Sequence, residues 1–136
     1  HQSLHISFSN DLGVNKVKFS HFDTKCSNLH RYWDECILYK GKQSKTKWLD
    51  LLREKWRQHS QPNWQKEQVW QWANESFQIA IEPSFNYCQV NSQGNCQKPE
   101  KKIKLPPDYL EQYQGVMEQR LLQAAQRLTK ILEVSL

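Results

Sequence analysis

Asn28-Leu29-His30-Arg31-Tyr32-Trp33-Asp34 is the stretch on which the reading of this chain turns. Leu29, Trp33, Cys36 and Ile37 recur at helical spacing, which predicts an amphipathic helix with that face in a core. Ser27 or Asn28 can supply its N-cap and Gly41 its stop. On such a helix His30 and Asp34, at i and i+4, share one side, and Glu35 does not join them. Alone, a His-x-x-x-Asp pair is usually a surface ion pair or a helix-end contact. Upstream, however, Gln2-Ser3-Leu4-His5 brings a second histidine. Two histidines and one aspartate from separate segments suit a zinc ion that keeps one position open for water. His5, His30 and Asp34 could form such a set, although spacing alone favours the plainer surface pair. His1 and His21 lack partner spacing, and the helical period turns Trp33 toward the core rather than toward a nucleobase.

The rest of the chain predicts a mainly α protein. Ser44 can cap a second helix with Trp48, Leu51, Leu52 and Trp56 along one stripe. Pro62 leads toward a third, with Val69, Trp70, Trp72, Ala73, Phe77 and Ala80 apolar, until Pro83 stops it. Pro107 and Asp108 open a last helix running through Leu110, Tyr113, Met117, Leu121, Leu122, Ala125, Leu128 and Leu132. Residues 1 to 5 read as the last turn of a helix. Ile6 to Ser9 and Lys16 to Phe19 alternate apolar with polar across a turn containing Gly13, which predicts a small β-hairpin. Ser84 to Pro106 reads as an irregular polar loop.

Composition fits one domain at most: 136 residues, 38% hydrophobic, with six Trp, five Phe and five Tyr as bulky core material. No stretch approaches the roughly 18 apolar residues of a transmembrane helix, and no signal-peptide pattern is visible. The net charge of +5 suits a polyanionic partner. Its lysines and arginines, spread over Lys40 to Arg57 and clustered at Lys98, Lys101, Lys102 and Lys104, read first as a solvated helix face and a basic loop. Asn74-Glu75-Ser76 is a glycosylation sequon on a predicted helix, a poor place for occupancy.

Four cysteines are compatible with an oxidising compartment, and hence with a secreted or periplasmic protein. Cys88 and Cys96 bracket a short polar loop and can bridge locally. Cys26 and Cys36 are disfavoured: a straight run from the helix start leaves roughly 12 Å to Cys36, beyond the roughly 7 Å limit for a disulfide. Cross-pairing with Cys88 and Cys96 is the alternative. No C-x-x-C spacing supports cysteine as a zinc ligand.

Taken together, Gln2-Ser3-Leu4-His5, Asp11-Leu12-Gly13-Val14-Asn15 and Asn28 to Asp34 resemble the S1/P1 nuclease family. That family carries Gln-Pro-Leu-His, Asp-x-Gly-Gly-Asn and Asn-Leu-His-x-x-Trp-Asp in this order. Trp72-Ala73-Asn74-Glu75-Ser76 matches a family helix, and Ala124-Ala125-Gln126-Arg127-Leu128 resembles its Ala-Gly-x-Arg-Leu ending. Ser3 stands for the usual Pro, Ala125 for a Gly, and Val14 for the second Gly of the turn. A β-branched residue is strained at that last position if the turn needs a positive φ.

The resemblance implies a helical fold of the phospholipase C/P1 nuclease type. It also implies that residues 1–136 are the C-terminal part of a nuclease domain, incomplete at its N-terminus. Family members hold three zinc ions, with further ligands expected ahead of His1; His5, His30 and Asp34 would hold one of the three. The implied activity is a zinc-dependent endonuclease that hydrolyses phosphodiester bonds of single-stranded DNA or RNA to 5′-phosphorylated products. This chain alone is then expected to bind zinc weakly and cleave poorly. A zinc phospholipase C-like phosphodiesterase and a non-catalytic basic remnant that binds nucleic acid are the alternatives.

Overall fold

The computed structural model describes residues 2–8, 13–15, 17–20, 26–39, 44–58, 68–85, 87–97 and 101–136. In chain order they form a 3-10 turn at Ser3–His5, β1 at Phe19–Ser20, and a first helical segment, α1. That segment consists of an α turn at Leu29–Arg31, a π turn at Tyr32–Cys36 and a final α turn at Ile37–Tyr39. Next come α2 (Lys45–Gln58), α3 (Val69–Ala80) and a 3-10 turn at Pro83–Phe85. Three two-residue strands, β2 (Gln89–Val90), β3 (Cys96–Gln97) and β4 (Ile103–Lys104), precede the long α4 (Tyr109–Ser135). The fold is mainly α, as the hydrophobic periodicity predicts.

Helix starts follow local chemistry. The Asn28 side chain accepts a hydrogen bond from the Arg31 N–H at 2.8 Å, and Ser44 Oγ accepts one from Lys47 at 3.2 Å. Gln68 and Gln71 form a reciprocal capping box at the start of α3. Pro62 and Gly41 lie outside the described residues. In α1 the Ile37 N–H reaches the Tyr32 carbonyl, the i to i−5 bond that defines a π turn.

The core is aromatic. Trp33 packs on Phe85 (ring centroids 4.9 Å), Phe85 on Tyr113 (5.0 Å), Tyr113 on Tyr109 (4.7 Å) and Tyr32 on Phe19 (5.3 Å). Such pairs add about 0.5–1.5 kcal/mol each beyond the area they bury. Leu4, Leu29, Ile37 and Val14 are fully buried in the same cluster. Trp33 is core, as its helical phase predicts. Val69 and Trp70, among the apolar residues of α3, are exposed.

A second, polar layer joins α3 to α4. Arg127 places its guanidinium on Glu75 in a bidentate pair (2.8 and 2.6 Å) and over the Trp72 ring at 5.0 Å. Arg120 reaches the same Glu75 and also Ser76 (2.6 Å) and Gln123 (2.7 Å). Lys55 of α2 pairs with the buried Glu118 of α4.

Two expectations are corrected. The hairpin of residues 6–9 with 16–19 does not form among the described residues, which exclude Ser9 and Lys16. Ile6 to Phe8 carry no strand, and β1 pairs in parallel with β4, Phe19 opposite Ile103. The antiparallel ribbon is β2 with β3, within the segment read as an irregular loop. There Asn91 Oδ1 accepts from the N–H groups of Gln93 and Asn95, both at 3.0 Å, and Gly94 takes φ +77°. Strands two residues long leave no period to read.

The second correction concerns sulfur. Cys26 is disulfide-bonded to Cys36, with Cα atoms 6.4 Å apart, whereas Cys88 and Cys96 are thiols. A straight approach to α1 would keep the two cysteines apart. Instead the segment from Cys26 to Asn28 folds back beside the helix, which brings the Cα atoms of Cys26 and Cys36 to 6.4 Å.

Candidate metal centre

His5 ends the first 3-10 turn. The Gln2 side-chain oxygen caps that turn by accepting from the Leu4 N–H, and Leu4 itself is fully buried. Anchoring Leu4 in the core leaves its neighbour His5 exposed at the surface. On α1 the same logic applies: Leu29, Tyr32 and Trp33 face inward, while His30 is half-buried and Asp34 exposed.

The three predicted ligands meet. His5, His30 and Asp34 each offer a ligand atom, and these atoms lie within 4.8 Å of one another. His30 Nε2 is 3.1 Å from Asp34 Oδ2, and the His5 and His30 rings stack with centroids 5.2 Å apart and planes 22° apart. Zinc–nitrogen and zinc–oxygen bonds near 2.1 Å put tetrahedral ligands roughly 3.4 Å from each other. A set of two imidazoles and a carboxylate at this spacing fits that ion with little rearrangement. It is also the one such group of three among the described residues.

Two further residues, missed from sequence, attend the ligands. His30 Nδ1 is 2.6 Å from the Gly13 carbonyl. A carbonyl can only accept, so Nδ1 carries the proton and Nε2 is the atom presented to a metal. Gln2 Nε2 donates to Asp34 Oδ1 at 3.1 Å and leaves Oδ2 facing His30. Gly13 has φ +64° and Val14 φ +66°, so the turn does take the left-handed conformation that strains a β-branched residue. Burial of the Val14 side chain in the core offsets that strain. A carbonyl in a turn leaves no mark in a sequence beyond the glycine itself, and Gln2 stood inside a quoted motif without a role.

The other candidates separate from the site. Glu35 pairs with Arg31 at 3.0 Å, away from His30. Lys101, Lys102 and Lys104 are exposed, while Lys40 and Lys98 lie outside the described residues, as do His1 and His21. Asn74 is exposed on α3, within a regular helix.

The structure thus offers an open, two-histidine, one-carboxylate site on a helical scaffold, and no helix among the described residues is long and apolar enough to cross a membrane. Comparison with known proteins adds one finding: the S1/P1 Nuclease family model matches residues 1–136. No curated protein and no solved structure matches the chain.

Proposed function

The chain belongs to the S1/P1 nuclease family, and on that premise we propose that it is a zinc-dependent endonuclease. Its reaction is hydrolysis of phosphodiester bonds in single-stranded DNA or RNA, with release of 5′-phosphorylated products. His5, His30 and Asp34 hold one zinc ion in this reading. Zinc bound there supplies a Lewis acid for the phosphate and an activated water at neutral pH.

The chain's own residues do the positioning. Buried Leu4 and Leu29, next in sequence to the two histidines, hold both ligand segments against the core. The exposed His5 and Asp34 leave the outer side of the group open to a polyanion, which the net charge of +5 helps to attract. The Cys26–Cys36 disulfide accords with a secreted or periplasmic setting.

The observation that carries the reading is the convergence of His5, His30 and Asp34 within 4.8 Å in a chain of this family. The test is metal content of purified wild type and His30→Ala, followed by cleavage of a single-stranded oligonucleotide with and without chelator. About one zinc per wild-type chain is expected, lost in the variant. Cleavage by this chain alone is expected to be weak, chelator-sensitive and to leave 5′-phosphates. No zinc in the wild type, or zinc kept by His30→Ala, overturns the assignment. Cleavage of a lipid phosphodiester in place of the oligonucleotide overturns the substrate.

A further inference from the structure

We propose that the Gln2 side chain and the Gly13 carbonyl are positioning groups for the metal ligands, each occupying the ligand atom that must not face the ion. The inference rests on the reading of His5, His30 and Asp34 as a zinc site. An aspartate carboxylate on a surface helix has two equivalent oxygens and a freely turning side chain, and an imidazole has two nitrogens. Something must select among them. Gln2 selects for Asp34: its Nε2 takes Oδ1 at 3.1 Å while its Oε1 accepts from the Leu4 N–H. The amide is thereby used from both ends, which fixes its orientation. The Gly13 carbonyl selects for His30 by holding Nδ1 at 2.6 Å.

The two groups also lock the segments to each other. Gln2 belongs to the turn that ends in His5, yet it grips a residue of α1 that lies 32 positions on. Gly13 lies between them. A Cβ at this position would meet the Leu4 carbonyl at 3.2 Å and His30 Nδ1 at 3.4 Å, so a larger residue would press on both ligand-bearing segments by a few tenths of an ångström, at a φ of +64° that strains any side chain. Val14, fully buried despite φ +66°, keeps the turn pressed against the core. The Val17 N–H donates to the Val14 carbonyl at 3.0 Å, and the Val17 carbonyl accepts from Leu29 at 3.1 Å, tying the turn to the start of α1.

The first variant is Gln2→Glu. It keeps an oxygen to cap the 3-10 turn and replaces the donor to Asp34 with a carboxylate, so Gln2→Met, which removes the donor without adding charge, is measured beside it. Zinc affinity, measured by competition with a chromophoric chelator, is expected to fall about 10- to 100-fold. The visible spectrum of the cobalt-substituted protein should change, with the thermal midpoint kept. Gly13→Ala should lower affinity as well, and Gln2→Met carries the test if that variant does not fold. Affinity and cobalt spectrum unchanged or strengthened in Gln2→Met overturn the proposal alone, whatever Gln2→Glu shows. A wild type that binds neither metal overturns it together with the zinc site itself.

Discussion

The Trp33 indole N–H donates to the Tyr109 hydroxyl at 3.1 Å, across 76 positions of sequence. Both side chains are buried, and the bond ties α1, between the candidate ligands His30 and Asp34, to the first turn of α4. Tyr109→Phe keeps the ring and its packing but strands a buried indole donor. The expected cost is about 1–3 kcal/mol of unfolding free energy, read as a lower urea midpoint at unchanged slope. A loss well under that range would mean the indole finds another acceptor.

The same tyrosines set a limit at alkaline pH. Burial pushes the Tyr109, Tyr32 and Tyr113 hydroxyls above their ordinary range, Tyr109 furthest, because the phenolate cannot be solvated in the core. The native state therefore holds protons that the unfolded chain gives up near pH 10. Stability should be insensitive to these groups below that pH and fall as pH rises past it. Thermal midpoints measured across this window, followed with tyrosinate absorbance, check the sign. Ionisation of every tyrosine with no loss of structure would refute it.

One carboxylate serves two buried guanidiniums. Arg127 is 1% and Arg120 5% exposed, and both end on Glu75. Glu75→Gln removes the carboxylate that the two buried cations share, and a loss of about 3–5 kcal/mol is expected. Chemical denaturation of Glu75→Gln beside an exposed control, Glu111→Gln, measures it. Equal effects would show that the network contributes nothing special.

Ser3 offers the opposite case. Its hydroxyl is fully buried and finds no hydrogen-bond partner among the described residues, at a position where the family usually carries proline. Removing an unsatisfied buried hydroxyl should help. Ser3→Ala is expected to raise stability by about 1 kcal/mol, seen as a higher melting temperature with zinc affinity unchanged.

What could be read in the sequence follows from range. The helices around Trp48, Phe77 and Met117 rest on local periodicity and caps, and they form where the pattern puts them. His30 and Asp34 are legible because helical geometry alone brings them together. His5 joined them only through a motif, since nothing in the spacing of residues 5 and 30 forces the two rings to stack. The Cys26–Cys36 disulfide escapes the sequence for a related reason. Its distance depends on the path of the chain ahead of α1, and no short-range rule encodes that path. The parallel pairing of Phe19 with Ile103 is longer in range still. Gln2 and Gly13 were hidden differently: their contributions come from an amide group and a backbone carbonyl, groups that carry no distinctive chemistry until partners are in place.

Cys26 and Cys36 also enclose part of the site topologically. With a sequence separation of 10, the disulfide closes a covalent ring that contains both His30 and Asp34. A protease that cut one peptide bond inside this ring would not divide the molecule, because the two pieces would remain joined through sulfur. Both side chains would stay on one connected body after such a nick. Only a second event, a reductant or another cut, could carry them apart.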